Sequence, residues 1–328
     1  VALTHLDDVD TLEASRWQVG WPRWGQHFGN RAFVVLAQAS AIAMGGLLGA
    51  IVLTLLIVAL PAIQTYGLSF LTGRVWDPVA GQQVFGILPM IIGTATSSGL
   101  ALLLAVPLGV GSAIFLSEDF LPPALQRGLV SLVELLAAIP SVVYGLWGLV
   151  VLVPHLQPLS WWLHTHLGWM PLFSTPPIGP GLLPAALVLA IMIVPMITAI
   201  ARDALMAVPL ELRLAAAALG ANRWSALLGV SIPAAGAGIM GGILLALGRA
   251  IGETMAVTMV IGNANQLSPS LLAPATTLAS LLVNQFTEAR GMQISALMYA
   301  ALVLLLLSLG VNLLAEWVVS LTSRHQQR

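Results

Sequence analysis

Residues 209–263 read PLELRLAAAALGANRWSALLGVSIPAAGAGIMGGILLALGRAIGETMAVTMVIGN, a polar loop followed by an apolar run. The run is long enough to cross a bilayer, which takes about 20 residues of helix. Near its middle stand Arg249 and Glu253, four residues apart. Helical spacing would put both on one face, one turn from each other. An arginine at mid-membrane costs about 2.5–3.5 kcal/mol on insertion scales, so it calls for a purpose. Two readings stand. Arg249 lies on the path of an anion, or it forms a buried ion pair with Glu253 or Glu134 that pins helices together. The polar part, with Arg213 and Arg223, reads as a docking surface. Its residues 209–221 favour a short amphipathic helix that Gly220 ends, a shape that can lie in a groove of a soluble partner.

Outward from this stretch the chain repeats the apolar theme. Apolar segments cover about 32–60, 86–116, 128–153, 182–201, 236–262 and 292–319. Of the 328 residues 58% are hydrophobic and 8% charged, against roughly 25% charged in soluble domains. The expected fold is an all-α polytopic membrane protein with six transmembrane helices. Its expected parts are a segment 1–31, a first span 32–60, an outer loop 61–85, a core 86–320 and a tail 321–328. Arg16, Arg23, Arg31, Arg127, Arg202, Arg213, Arg223, Arg324 and Arg328 gather on one side and only Arg74 and Arg290 on the other. By the positive-inside rule both termini are cytoplasmic. Trp17, Trp21 and Trp24 suit an interfacial helix, though Gly20 and Pro22 equally suit a loose tail. The first apolar run is too long for the core of a removable signal peptide. Trp76, Trp161, Trp162 and Trp169 fall in the outer loops, as interface anchors or as contacts for an outer partner.

Absences narrow the chemistry. A net charge of −1 argues against general nucleic-acid binding. There is no cysteine, and all twelve basic residues are arginine. Without lysine the chain cannot carry an ordinary Walker A site, so any ATP would be hydrolysed by another subunit. His164 and His166 fit no zinc-protease spacing, and Ser141 lacks the glycine framing of a nucleophile elbow. No catalytic or metal site is expected.

Within the spans, Glu134 is either a functional membrane carboxylate or a wet residue at the cytoplasmic edge. Pro107, Pro140 and Pro195 are expected to kink their helices. Gly238 with Gly242, and Gly248 with Gly252, form pairs that let helix backbones approach closely. Glu253 has two roles open to it: accepting the O–H of hydrogen phosphate, which sulfate lacks, or neutralising Arg249.

Residues 209–233 resemble the EAA loop of binding-protein-dependent ABC importer permeases, whose pattern is E-A-A, three residues, G, nine residues, I-x-L-P. Ala215, Ala216, Gly220, Val230, Ile232 and Pro233 stand in register. The glutamate position is Leu214, a departure from the pattern, and Glu211 lies one turn earlier. GRAIGETMAVTMVIGN (248–263), ELLAAIPSVVYGLWGL (134–149) and GTATSSGLALLLAVPLGVGSAIFLSE (93–118) further resemble the PstC family of phosphate-importer permeases. The resemblance spans about 85–320. It implies the type I importer (MetI-like) fold, phosphate as cargo, a PstA-type permease partner, two PstB-type ATPase subunits that bind ATP and Mg, and a PstS-type phosphate-binding protein outside. It makes 209–233 the ATPase-coupling loop. Another oxyanion, or a channel or secondary carrier without an ATPase, is the alternative.

Overall fold

The computed structural model describes residues 23–79, 83–118 and 120–326. The interfacial helix expected at the N-terminus falls, up to residue 22, outside the described residues. The elements are α1 (Arg23–Tyr66), α2 (Ser69–Thr72), β1 (Trp76–Asp77), β2 (Val84–Phe85), α3 (Leu88–Ser117), α4 (Pro123–Ala138), α5 (Ser141–Trp147), α6 (Val153–Leu167), α7 (Leu182–Met206), α8 (Leu210–Ala218), α9 (Arg223–Ala226), α10 (Ile232–Gly252), α11 (Met255–Val260), α12 (Leu278–Gln285) and α13 (Met292–Gln326). Among the described residues, six helical stretches are long and apolar enough to cross a membrane.

The chain divides into two compact units, Val1–Thr54 and Leu55–Arg328. In the first, the described part is the start of α1, whose side chains from Phe33 onward are exposed and largely apolar. The second holds the remaining elements and is built around α7.

In α7, 61% of the most apolar window is buried, more than in any other span. Glycines allow its neighbours to press close. A Cβ on Gly109 of α3 would lie 2.8 Å from the Ile197 side chain. On α10, a Cβ at Gly238 would lie 2.5 Å from that of Ala204, and one at Gly242 3.0 Å from Ile200. Small residues thus set the spacing of three helices, since apolar burial gives no preference between helices in lipid. The Thr198 hydroxyl adds a polar tie, donating to the Val194 carbonyl at 2.9 Å and to Gly109 of α3 at 3.2 Å.

A second core gathers the end of α1, α2, the β1–β2 ribbon, the start of α3, α12 and α13. Phe70 stacks on Tyr299 with ring centroids 4.4 Å apart, and Trp76 leans on Phe85 at 4.8 Å. The ribbon pairs Trp76 with Phe85 and Asp77 with Val84, antiparallel. Trp76 is therefore buried core, not an interface anchor, and its indole N–H donates to Gln285 Oε1 at 2.6 Å.

The prolines behave differently from one another. α3 and α7 continue through Pro107 and Pro195, whereas the chain breaks at Ile139–Pro140, both in extended ψ. A residue before proline is pushed out of the helical region. The third apolar segment, expected as one span over 128–153, is consequently two pieces. α4 precedes the break and buries no residue. The span-length stretch is Ser141–Leu167, joined through a π turn at Gly148–Leu152. It reaches into what the sequence suggested was an outer loop. α13 likewise runs through the expected tail to Gln326.

Candidate functional site

A second break interrupts the fifth span. α10 ends at Gly252, Glu253 is extended (φ −68°, ψ 123°), and α11 begins at Met255. The two breaks converge. A Cβ on Gly145 of α5 would lie 2.8 Å from the Ala256 Cα and the same from Met259 Sδ of α11, so the pieces beyond each break pack backbone to backbone. Tyr144, Ala246, Ala250, Ala256 and Val257 share one core there. The α4–α5 break is itself satisfied. The helical donor for the Leu136 carbonyl would be residue 140, and proline has no N–H. The Leu136 carbonyl instead accepts the Ile139 N–H at 3.3 Å and the Tyr144 hydroxyl at 2.8 Å.

Arg249 sits half-buried in the last turn of α10. A cation there is stabilised by the helix dipole, by about 0.3–1 kcal/mol at exposed sites. Among the described residues the ion pairs are Arg202–Asp203, Arg213–Glu118 and Arg223–Glu118, and Arg249 is in none of them. The shared helical face expected for Arg249 and Glu253 does not exist, because helical geometry stops at the residue between Ile251 and Glu253. Glu253 belongs to the next helix: its Oε1 accepts the Ala256 N–H at 3.2 Å, a free donor of the first turn of α11. Its other oxygen, Oε2, accepts no hydrogen bond among the described residues.

Glu134 is exposed on α4, outside the third span. It lines a cavity of about 30 Å³ with Leu116, Val130, Thr198, Arg202 and Asp203. The ion pair with Arg249 that the sequence allowed is not formed. Gly248 packs against Asn312 of α13, whose Oδ1 would lie 3.2 Å from an added Cβ, while Gly252 has open space around it. His164 and His166 each turn Nδ1 toward a carbonyl, of Phe173 and of Trp162, both at 2.9 Å.

The polar segment folds as α8, a turn, and α9. Its turn is a Schellman motif: Ala221 N–H donates to Ala216 O at 3.0 Å and Gly220 N–H to Ala217 O at 2.9 Å. Gly220 takes φ +82° to make it. Asn222 then caps α9, its Oδ1 accepting the Ser225 N–H at 2.8 Å. Nothing lies near a Cβ at Gly220, so Gly220→Ala is expected to cost only the left-handed conformation, about 1–2 kcal/mol. A lowered thermal midpoint in detergent, with the complex still assembling, checks this. Ala216 is buried, whereas Glu211 and Ala215 are exposed and Pro233 opens α10 on an exposed turn. Leu210, Leu214 and Leu219 are 67%, 59% and 89% exposed, an apolar surface on an otherwise polar connection.

Sequence reasoning missed two residues. Tyr144 hid in an apolar run, although its place four residues beyond Pro140 was a signal. Glu118 lies far from the loop in sequence. Yet its Oε1 meets Arg213 Nη1 at 3.2 Å, and its Oε2 meets Arg223 Nε at 3.6 Å.

Two broken helices meet where the helix carrying Arg249 ends, Arg249 pairs with no carboxylate among the described residues, and the 209–233 connection exposes leucines. The model of the family described as "Binding-protein-dependent transport system inner membrane component" matches residues 105–325, and the chain belongs to that family. It is the permease subunit of an ABC-type transporter. The phosphate transport system permease protein PstC of Mesorhizobium japonicum is 45% identical over 88% of this chain and 89% of its own. That of Haemophilus influenzae is 44% identical over 84% and 88%. Among solved structures, a bacterial alginate ABC transporter with a pentasaccharide-bound periplasmic protein aligns with a TM-score of 0.52 at 15% identity, over 85% of this chain and 93% of that one. The inward-facing MetNI methionine transporter aligns at 0.50 and 17%, over 72% and 94%. These confirm the importer-permease fold expected from the sequence.

Proposed function

We propose that this chain forms part of the membrane path of an ATP-driven phosphate importer, working by alternating access. The observation that carries the reading is Arg249, a permanent charge where a broken helix ends, paired with no carboxylate among the described residues. A guanidinium fork can hold two phosphate oxygens at once. Discontinuous helices placed at such a point are a common way of building substrate sites in membranes. The relatives named for phosphate transport support phosphate as the cargo.

In this reading a PstA-type permease completes the path, one of two PstB-type ATPases grips α8 from the cytoplasm, and a PstS-type protein delivers phosphate outside. Both termini are cytoplasmic. ATP and Mg bind the ATPases, and this chain holds no cofactor. Closure of the ATPase pair moves α8 as a lever, and the spans exchange between outward-open and inward-open states. Glu134 lies on the inner part of the path.

Glu253 acts as a selector. One oxygen is committed to capping α11, and the other is left to accept the O–H of hydrogen phosphate. Sulfate has no such proton. Glu253→Gln keeps the cap but offers an N–H₂ in its rotated form, and is expected to narrow the preference for phosphate over sulfate by about tenfold, the worth of one hydrogen bond. Unchanged competition by sulfate would remove the role.

The overall test is reconstitution of the four-component importer in liposomes. ATP-dependent uptake should follow phosphate, with sulfate and molybdate well behind. Uptake by this chain without nucleotide would point to a secondary carrier instead.

A further inference from the structure

We infer that Glu118 is a positioning residue that makes α3 follow the docking segment when that segment is driven. The inference rests on the reading of 209–233 as the segment the ATPase moves. α8 and α9 are continuous in the chain with α7 and α10, so a displacement reaches those spans through the backbone. α3 has no such connection. It nevertheless packs along α7 at Gly109 and Ile197, and reaches from the 209–233 end to the second core, where Ile87 at its start and Met90 are fully buried.

Glu118, at the tip of α3, bridges that gap. Its side chain is only 13% exposed, and both of its oxygens are engaged by guanidinium groups. Arg213 comes from α8 and also donates through Nη2 to the Leu205 carbonyl at 2.9 Å, locking the end of α7 into the same knot. Arg223 comes from α9, and its guanidinium lies 3.9 Å over the Phe120 ring. Phe120 in turn stacks on Phe115 of α3 at 5.9 Å and meets Trp224 of α9 at 5.8 Å. A charged knot and an aromatic stack therefore fasten the same two elements, at a joint only partly open to solvent, where screening is reduced.

A glutamine cannot replace Glu118 in this geometry. It offers one acceptor oxygen, and its N–H₂ would face a guanidinium, donor against donor. An aspartate keeps both acceptors and the charge.

The test measures ATP hydrolysed per phosphate imported by the complete importer in liposomes, for wild type, Glu118→Gln and Glu118→Asp. Glu118→Gln is expected to raise that ratio at least about fivefold, the low end of typical coupling between sites. Glu118→Asp should recover most of the wild-type ratio. A residue with a merely structural role would lower the amount of assembled complex and leave the ratio alone. A wild-type ratio in Glu118→Gln overturns the inference, and so does failure of both variants to assemble. Wild-type complex that imports another oxyanion instead of phosphate defeats the proposed cargo alone, and the ratio is then read with that oxyanion.

Discussion

Arg249→Lys is expected to lower phosphate uptake by about 10- to 100-fold, because lysine keeps the charge but loses one of two charge-assisted hydrogen bonds worth about 1.5–3 kcal/mol. Arg249→Ala should abolish measurable uptake. In both variants the importer should still assemble and hydrolyse ATP. That last expectation separates this site from a structural ion pair. Breaking a buried pair costs about 3–5 kcal/mol, because it strands the remaining charge. Among the described residues no carboxylate would be stranded. Glu253 is held by the Ala256 N–H, and Glu134 shares its cavity with Arg202. Arg202 pairs with Asp203 at 3.4 Å, and both line that cavity with Glu134. Uptake assays in liposomes, run beside gel filtration and ATPase measurements on the same preparations, check the prediction. Loss of the assembled complex in Arg249→Ala would return Arg249 to a structural role.

The positions of Arg249 and Glu253 illustrate what the sequence could and could not disclose. Both residues, and the oddity of a charge in an apolar run, were legible because insertion energetics penalise them wherever they fall in a span. Their relation was not. Nothing in the spacing distinguishes a continuous helix from one that stops at Gly252 and restarts at Met255. The outcome is decided by tertiary packing, in which α11 must turn to meet Gly145. The same holds at Pro140. A proline in an apolar run is as readily kept inside a helix, as Pro107 and Pro195 are, as placed at a break. At this break the Leu136 carbonyl finds substitute donors in the Ile139 N–H and the Tyr144 hydroxyl. The close approaches of Gly238 and Gly242 to α7 could be anticipated, since a small-residue pair on an apolar face has few other uses. Glu118 could not, because its partners Arg213 and Arg223 arrive only when α3 and the docking segment end at the same level.

Leu214→Asp is expected to remove the ATPase from this subunit, reducing co-purified ATPase by at least about 100-fold. Leu214 stands where the family pattern has glutamate, so on the proposed docking of the ATPase at 209–233 it would present an apolar side chain. Burying a leucine side chain fully is worth about 1.5–3 kcal/mol. Leu214 is 59% exposed, so roughly half of that gain is available on docking. The penalty for the new charge is greater. An aspartate forced into an apolar contact costs several kcal/mol unless it finds a cation, and truncating or burying one charge at an interface commonly costs 2–5 kcal/mol or more. Together these exceed the roughly 2.7 kcal/mol that a 100-fold loss represents. The fold itself should be indifferent, since Leu214 touches no core and the helix it sits in is ended by the Gly220 turn and tied down through Arg213. Leu214→Glu restores the residue of the family pattern, and so tests what the partner presents. A partner that offers a cation at this point will bind Leu214→Glu far better than Leu214→Asp, because the longer side chain reaches beyond the helix surface. A partner whose groove is wholly apolar will reject both. Retention of ATPase by Leu214→Asp at the wild-type level would mean that α8 is not the gripped surface.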